Sequence, residues 1–208
     1  MKILVILSMV LLAGSALAET YGTTDSSGTG ATNGDISSYR YAIPITIGGT
    51  DQIADSGYFW PYDFDTNTST IVAMALYEVA GVDTSLIDST AEGDYGPTED
   101  QAWLPLPFTG VTLSASTTYL LAVHASNSCL IKRWYSAGDN RLYDFVGSFS
   151  SWDDPWSGAA TVADMTTAIY LVTTAGEAQT LVIGAPSEGD TVVIGTPSAD
   201  DTLVIGVK

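Results

Sequence analysis

From Tyr39 to Thr174 the chain alternates short apolar runs with turn residues, and nowhere carries a sustained helical stripe between good caps. The runs are 39–47, 56–60, 70–79, 102–108, 117–124, 129–135, 142–146 and 167–172. Between them lie Gly48-Gly49, Asp63 to Asn67, Gly93 to Pro97, Ser126-Asn127, Gly138-Asp139-Asn140 and Asp153 to Gly158. Val, Ile, Thr and Tyr dominate the runs, and apolar residues recur at period two, so strands are predicted. In Thr118 to His124, residues Tyr119, Leu121 and Val123 share one face. In Ile71 to Tyr77 both alternating sets are apolar, as in a central strand covered on both sides. About eight strands with short turns predict an all-β chain, folded as a jelly-roll-like β-sandwich.

The two ends differ from this middle. Residues 1–18 read MKILVILSMVLLAGSALA, with a Lys, an apolar run and the small residues Ala16-Leu17-Ala18. This is the pattern of a secretory signal peptide cut after Ala18. The apolar run is short of the about 20 residues that a membrane-spanning helix needs. No membrane span is expected after cleavage, and the protein is expected outside the cytoplasm. Residues 19–38 are rich in Gly, Ser, Thr, Asp and Asn, and read as a flexible or docked N-terminal arm.

The chain carries 24 acidic and six basic residues, a net charge of −18. Loss of Lys2 with the signal leaves five basic residues and a net charge of −19. Phosphate binding needs clusters of Lys and Arg, so nucleic acid is excluded as an expected partner. Cys129, the single cysteine, cannot form an intramolecular disulfide, and its place in an apolar run reads as a buried thiol.

The order of motifs within residues 39–172 resembles a known family. Ala75-Leu76-Tyr77-Glu78, Leu86-Ile87-Asp88-Ser89-Thr90, Trp103-Leu104-Pro105-Leu106 and Val111 through Val123 follow in turn. This order is similar to that of a jelly-roll module of secreted, cell-surface and phage-associated bacterial proteins. Ser116 stands where that pattern usually has Gly, and Leu120 or Leu121 where it often has Trp. The resemblance implies the fold and a binding or structural part, and it carries over no catalytic residues.

Residues 175–208 hold a threefold repeat, predicted as an arm of three β-strands. TLVIGAPSEGD, TVVIGTPSADD and TLVIGVK begin at Thr180, Thr191 and Thr202, a period of 11 residues. The strand runs are Thr180, Leu181, Val182 and Ile183; Thr191, Val192, Val193 and Ile194; and Thr202, Leu203, Val204 and Ile205. They fit a meander within the chain, a disordered tail, or strands donated to the sheet edges of identical subunits. An extended 11-residue unit spans about 36 Å at ~3.3 Å per residue, comparable to a sandwich domain of this size. One tail could therefore pair with successive subunits in an open, head-to-tail filament. The architecture is also similar to that of donor-strand subunits of extracellular fibrils and pili.

Chemistry is sparse. His124 is the single histidine and no G-x-S-x-G elbow is present, so no nucleophilic triad is expected and the chain reads as a non-enzyme. Zinc is disfavoured by one His and one Cys. Asp153-Asp154 is the best acidic pair, and reads as solvated surface. Asp63, Asp65 and Asn67 alternate oxygen ligands and form a candidate structural calcium loop, the one cofactor considered. Thr68 and Met74 depart from the EF-hand pattern at its Gly and closing Glu positions. Glycans are the rival partner, with Trp152, Trp156 and Trp60 as a candidate sugar platform beside Tyr58 and Tyr62. Trp103 and Trp134 are expected in the core. The first expectation is thus a secreted structural subunit, and the second a carbohydrate-binding module.

Overall fold

In a computed structural model, residues 18–26, 32–64, 69–80, 83–145, 149, 152–156 and 161–176 are described. They form an all-β sandwich of two antiparallel sheets. The strands are β1 (Glu19–Gly22), β2 (Thr32–Asp35), β3 (Tyr39–Thr46), β4 (Gln52–Phe59), β5 (Pro61–Phe64), β6 (Thr70–Ala80), β7 (Asp83–Ser89), β8 (Gly93–Tyr95), β9 (Leu104–Pro107), β10 (Thr112–Leu113), β11 (Thr118–Ala125), β12 (Cys129–Phe145), β13 (Thr161–Thr167) and β14 (Ile169–Ala175). A single turn of 3-10 helix spans Pro97–Glu99.

The smaller sheet runs β1-β14-β4-β10, with β9 also on β4. The larger runs β13-β12-β3-β11-β6-β7, with β2 and β5 on β12 and β8 on β6. The chain changes sheets twice at one corner. β4 passes to β5 at Trp60, and β13 passes to β14 at Ala168. Three backbone bonds tie that corner: Trp60 N–H to Ala168 O (3.0 Å), Ala168 N–H to Lys132 O (2.9 Å) and Lys132 N–H to Trp60 O (3.4 Å).

Period-two alternation builds the core between the sheets. Val72, Met74 and Leu76 of β6 and Tyr119, Leu121 and Val123 of β11 meet Phe59, Leu106, Leu113, Ile169 and Leu171 of the smaller sheet. Burying each large aliphatic side chain contributes roughly 1.5–3 kcal/mol. Cys129 is fully buried among them, and desolvation, with Asp100, Asp35 and Asp63 adding to it, pushes its thiol pKa far above the ordinary value.

The other set of β6 and β11 residues is buried too, as their doubly apolar sequences require. Ala42, Ala75, Tyr77, Leu120 and Ala122 form a second cluster on the outer face of the larger sheet. Trp152 and Trp156 pack against it. The residues 152–156 thus act as a strap over that face.

Several boundaries differ from the sequence reading. The run 167–172 is divided at Ala168, because its halves belong to different sheets. The runs 129–135 and 142–146 belong largely to one strand, β12, whose register against β13 jumps from Tyr135 to Asn140. The polar strand β7 lacks the apolar alternation that marks the others. Within 19–38, Glu19–Gly22 pairs with β14 and Thr32–Asp35 pairs with β12. Gly22 sits at φ +110°, where a Cβ would come 2.7 Å from Ile169 O, so this bend in β1 requires glycine. The three C-terminal runs lie outside the described residues.

Candidate interaction surfaces

Sheet edges matter first, because strand donation needs an edge with outward backbone groups. Hydrogen-bond parity shows which groups point outward. Thr23 N–H bonds to Ile169 O, in step with the β1–β14 register. Tyr21 and Glu19 therefore face β14, while Thr20 and Gly22 aim their N–H and C=O groups away from the sheet. Both residues are exposed, and among the described residues β1 is the end strand of the sheet.

Four other edges are closed or shortened in different ways. On β9, Phe108 N–H bonds to Asp55 O (2.8 Å), so the outward positions are 105 and 107. Both are prolines and offer no N–H. β10 is two residues long. On β7, the Leu86 N–H is capped by Asp154 Oδ1 at 2.9 Å, and Trp156 N–H bonds to Thr84 Oγ1 at 3.0 Å. On β13, the register jump of β12 bends the ladder.

The strap that closes β7 is anchored at its far side by Arg40. This side chain is 1% exposed, beneath Trp156 at 4.9 Å from the ring, with Nη2 2.8 Å from Asp153 Oδ2. Trp156 meets Tyr77 edge-on at 5.2 Å between centroids. Trp152 and Trp156, expected as loop aromatics on display, are instead half-buried covers of the sheet. The alanines at 42, 75 and 122 leave the room those rings occupy.

Beside the strap lies a cavity of about 130 Å³, lined by Ala73, Ser89, Thr90, Glu92, His124, Phe149 and Trp152. His124 is buried, with Nε2 3.4 Å from Ser37 O and its ring 5.2 Å from that of Phe149. Asp153 and Asp154, the candidate acid pair, bind Arg40 and the Leu86 amide, respectively.

A row of partly exposed aromatic rings crosses the outer face of the smaller sheet at its tied corner. Tyr58 and Tyr170 stack at 4.7 Å and 9°, Trp103 meets Tyr170 at 4.7 Å and 66°, and Trp60 meets Trp103 at 5.3 Å and 71°. Trp60, which its loop position marks in the sequence, stands at one end of the row. Trp103, assigned to a strand core, lies just before β9 and joins this outer row. Pairing Tyr170 with Tyr58 depends on the β4–β14 register, which a local reading of either strand does not contain.

Burial, with Tyr58 adjacent, raises the Tyr170 pKa above 10.0. Burial likewise raises those of Tyr95 and Tyr21, Tyr95 with Glu99 near it and Tyr21 with its bond to Glu19. A phenol with a raised folded-state pKa stabilises the fold fully below its unfolded value and loses that contribution as pH rises through the folded value. Stability in urea is therefore expected to be insensitive to these phenols between pH 7 and about 9.5, and to fall above about 10 as they ionise. Unchanged stability at pH 11 would contradict the burial of these hydroxyls.

Asp63 of the candidate calcium loop is exposed, whereas Asp65 and Asn67 lie outside the described residues. Met74, at the position of the closing ligand, is fully buried in the core. Among the described residues, no group of three or more His, Cys, Asp or Glu is placed to hold a metal. No helix among them is long and apolar enough to cross a membrane. Compared with known proteins, the chain matches no family model and no curated sequence significantly.

Proposed function

We propose that this chain is an exported structural subunit, whose sandwich globule joins others through strands donated by the C-terminal repeat. The observation that carries this reading is the repeat itself: three near-identical TLVIG-type runs at an 11-residue period. Each run is rich in β-branched residues and ends on a glycine, and the acidic Pro-Ser connectors keep successive runs apart. Identical runs call for identical acceptors, which copies of one subunit supply. The signal-like N-terminus and the resemblance to jelly-roll modules of cell-surface proteins support an extracellular setting. The test is whether full-length protein forms filaments that a chain ending before Thr180 does not.

A second reading, glycan binding, is favoured by the row of Tyr58, Tyr170, Trp103 and Trp60. Sugar C–H faces pack on aromatic rings, and the tyrosine hydroxyls add hydrogen bonds. On this reading, retention on a glycan array drops by at least about tenfold, ~1.4 kcal/mol, in Trp60→Ala and Tyr170→Ala. Trp152→Phe, on the opposite sheet, should bind as the unaltered protein does. Equal retention by all three variants would remove the row from consideration.

A further inference from the structure

We infer that the outer edge of β1 is the acceptor for the C-terminal runs, taking a Thr-Leu-Val-Ile or Thr-Val-Val-Ile strand from a second copy of this chain. This inference rests on the assembly reading above and names the partner surface within it. It stands on the contrast between edges. β9 presents prolines at both outward positions, Pro105 and Pro107. β7 has its Leu86 amide occupied by Asp154. β10 offers two residues. The β13 ladder is bent opposite Asp164 and Met165. β1 alone among these edges combines a regular neighbour ladder with outward amides, at Thr20 and Gly22.

Length and number support the match. β1 has four residues, and each donor run from Thr to Ile has four. Each copy brings three runs to its one β1 edge, so donor runs outnumber β1 acceptors in an assembly of identical chains. A run seated on β1 becomes the new end strand and can accept another. One edge per globule can thus seat runs from several tails. β14 cannot be the acceptor, since β1 and β4 already flank it.

The full-length protein tests this by quenched amide exchange read residue by residue, in assembled material and in dilute single subunits. The Thr20 and Gly22 amides are expected to exchange at least about 100-fold more slowly in the assembly than in the single subunit. The Tyr21 amide, bonded to β14, should be slow in both. Thr20→Pro removes an outward donor while leaving the β14 ladder intact, and is expected to stay folded and unassembled. Assemblies with fast exchange at Thr20 and Gly22, or a folded Thr20→Pro that assembles normally, would overturn the assignment and leave the assembly reading standing. Slow exchange at these amides in single subunits would place the strand within its own chain, and overturn the inference. If the unaltered protein never assembles, the underlying reading fails with it. Should Thr20→Pro fail to fold, the exchange comparison decides.

Discussion

Removal of residues from Thr180 onward is expected to abolish assembly while leaving a cooperatively folding globule. The sandwich supports the second half of this expectation directly. Among the described residues, both sheets, the core between them and the strap over the larger sheet are complete by Gly176. The final strand, β14, is paired on both sides before the repeat begins. Nothing in that ladder waits for a further strand. The thermal midpoint of the shortened protein should therefore fall within a few degrees of the full-length single subunit, a shift below about 1 kcal/mol for a domain of this size. Sedimentation should show one small species at concentrations where the full-length chain polymerises. A shortened protein that unfolds would mean that the three runs complete the globule's own sheet, as a meander would.

The second large effect is on stability, at Trp156. Its ring covers Tyr77 and the buried Arg40 guanidinium, and its backbone N–H holds Thr84 on the edge strand. Trp156→Ala opens a cavity over the outer cluster and removes the cation–π contact. Large-to-small changes at such positions cost about 3–5 kcal/mol, and the partial exposure of this ring places it at the lower end, ~3. Trp156→Phe keeps the cover and should cost about 1 kcal/mol. Trp60→Ala, on the open aromatic row, should also cost about 1 kcal/mol. Urea midpoints separate these cases. A loss at Trp156→Ala no larger than that at Trp60→Ala would refute the strap as part of the core.

Much of the sandwich was legible from local pattern, because strand faces repeat every two residues. Tyr119, Leu121 and Val123 alternate into the core as read, and the doubly apolar β6 is buried on both faces. What local pattern could not supply was the use of the second face. Trp152 and Trp156 sit among Asp, Pro, Ser and Gly, the composition of an exposed loop. Their burial follows from alanines at 42, 75 and 122 on three other strands, together with Arg40 beneath them. One signal was available: a strand apolar on both faces needs a second cover, and these tryptophans were the large rings left to provide it. Likewise, β7 is too polar to announce itself, and becomes a strand by pairing with β6. Which edge groups point outward is likewise set in three dimensions. That Pro105 and Pro107 fall at outward positions, and Thr20 and Gly22 too, depends on hydrogen-bond parity rather than on composition.

The acidic balance bears on how assembly should be assayed. Exported subunits, at net charge −19 once Lys2 is lost with the signal, repel one another, and ionic strength near 0.15 M screens such repulsion beyond about 8 Å. Strand addition is short-ranged and persists under screening. Assembly should therefore be examined at physiological salt rather than in low-salt buffer.

Electron microscopy of the purified full-length protein at that ionic strength tests the central claim most directly. Filaments of globules in linear series, absent from the protein ending before Thr180, are the expected result. Single globules at every concentration, with the C-terminal residues verified intact by mass, would contradict it.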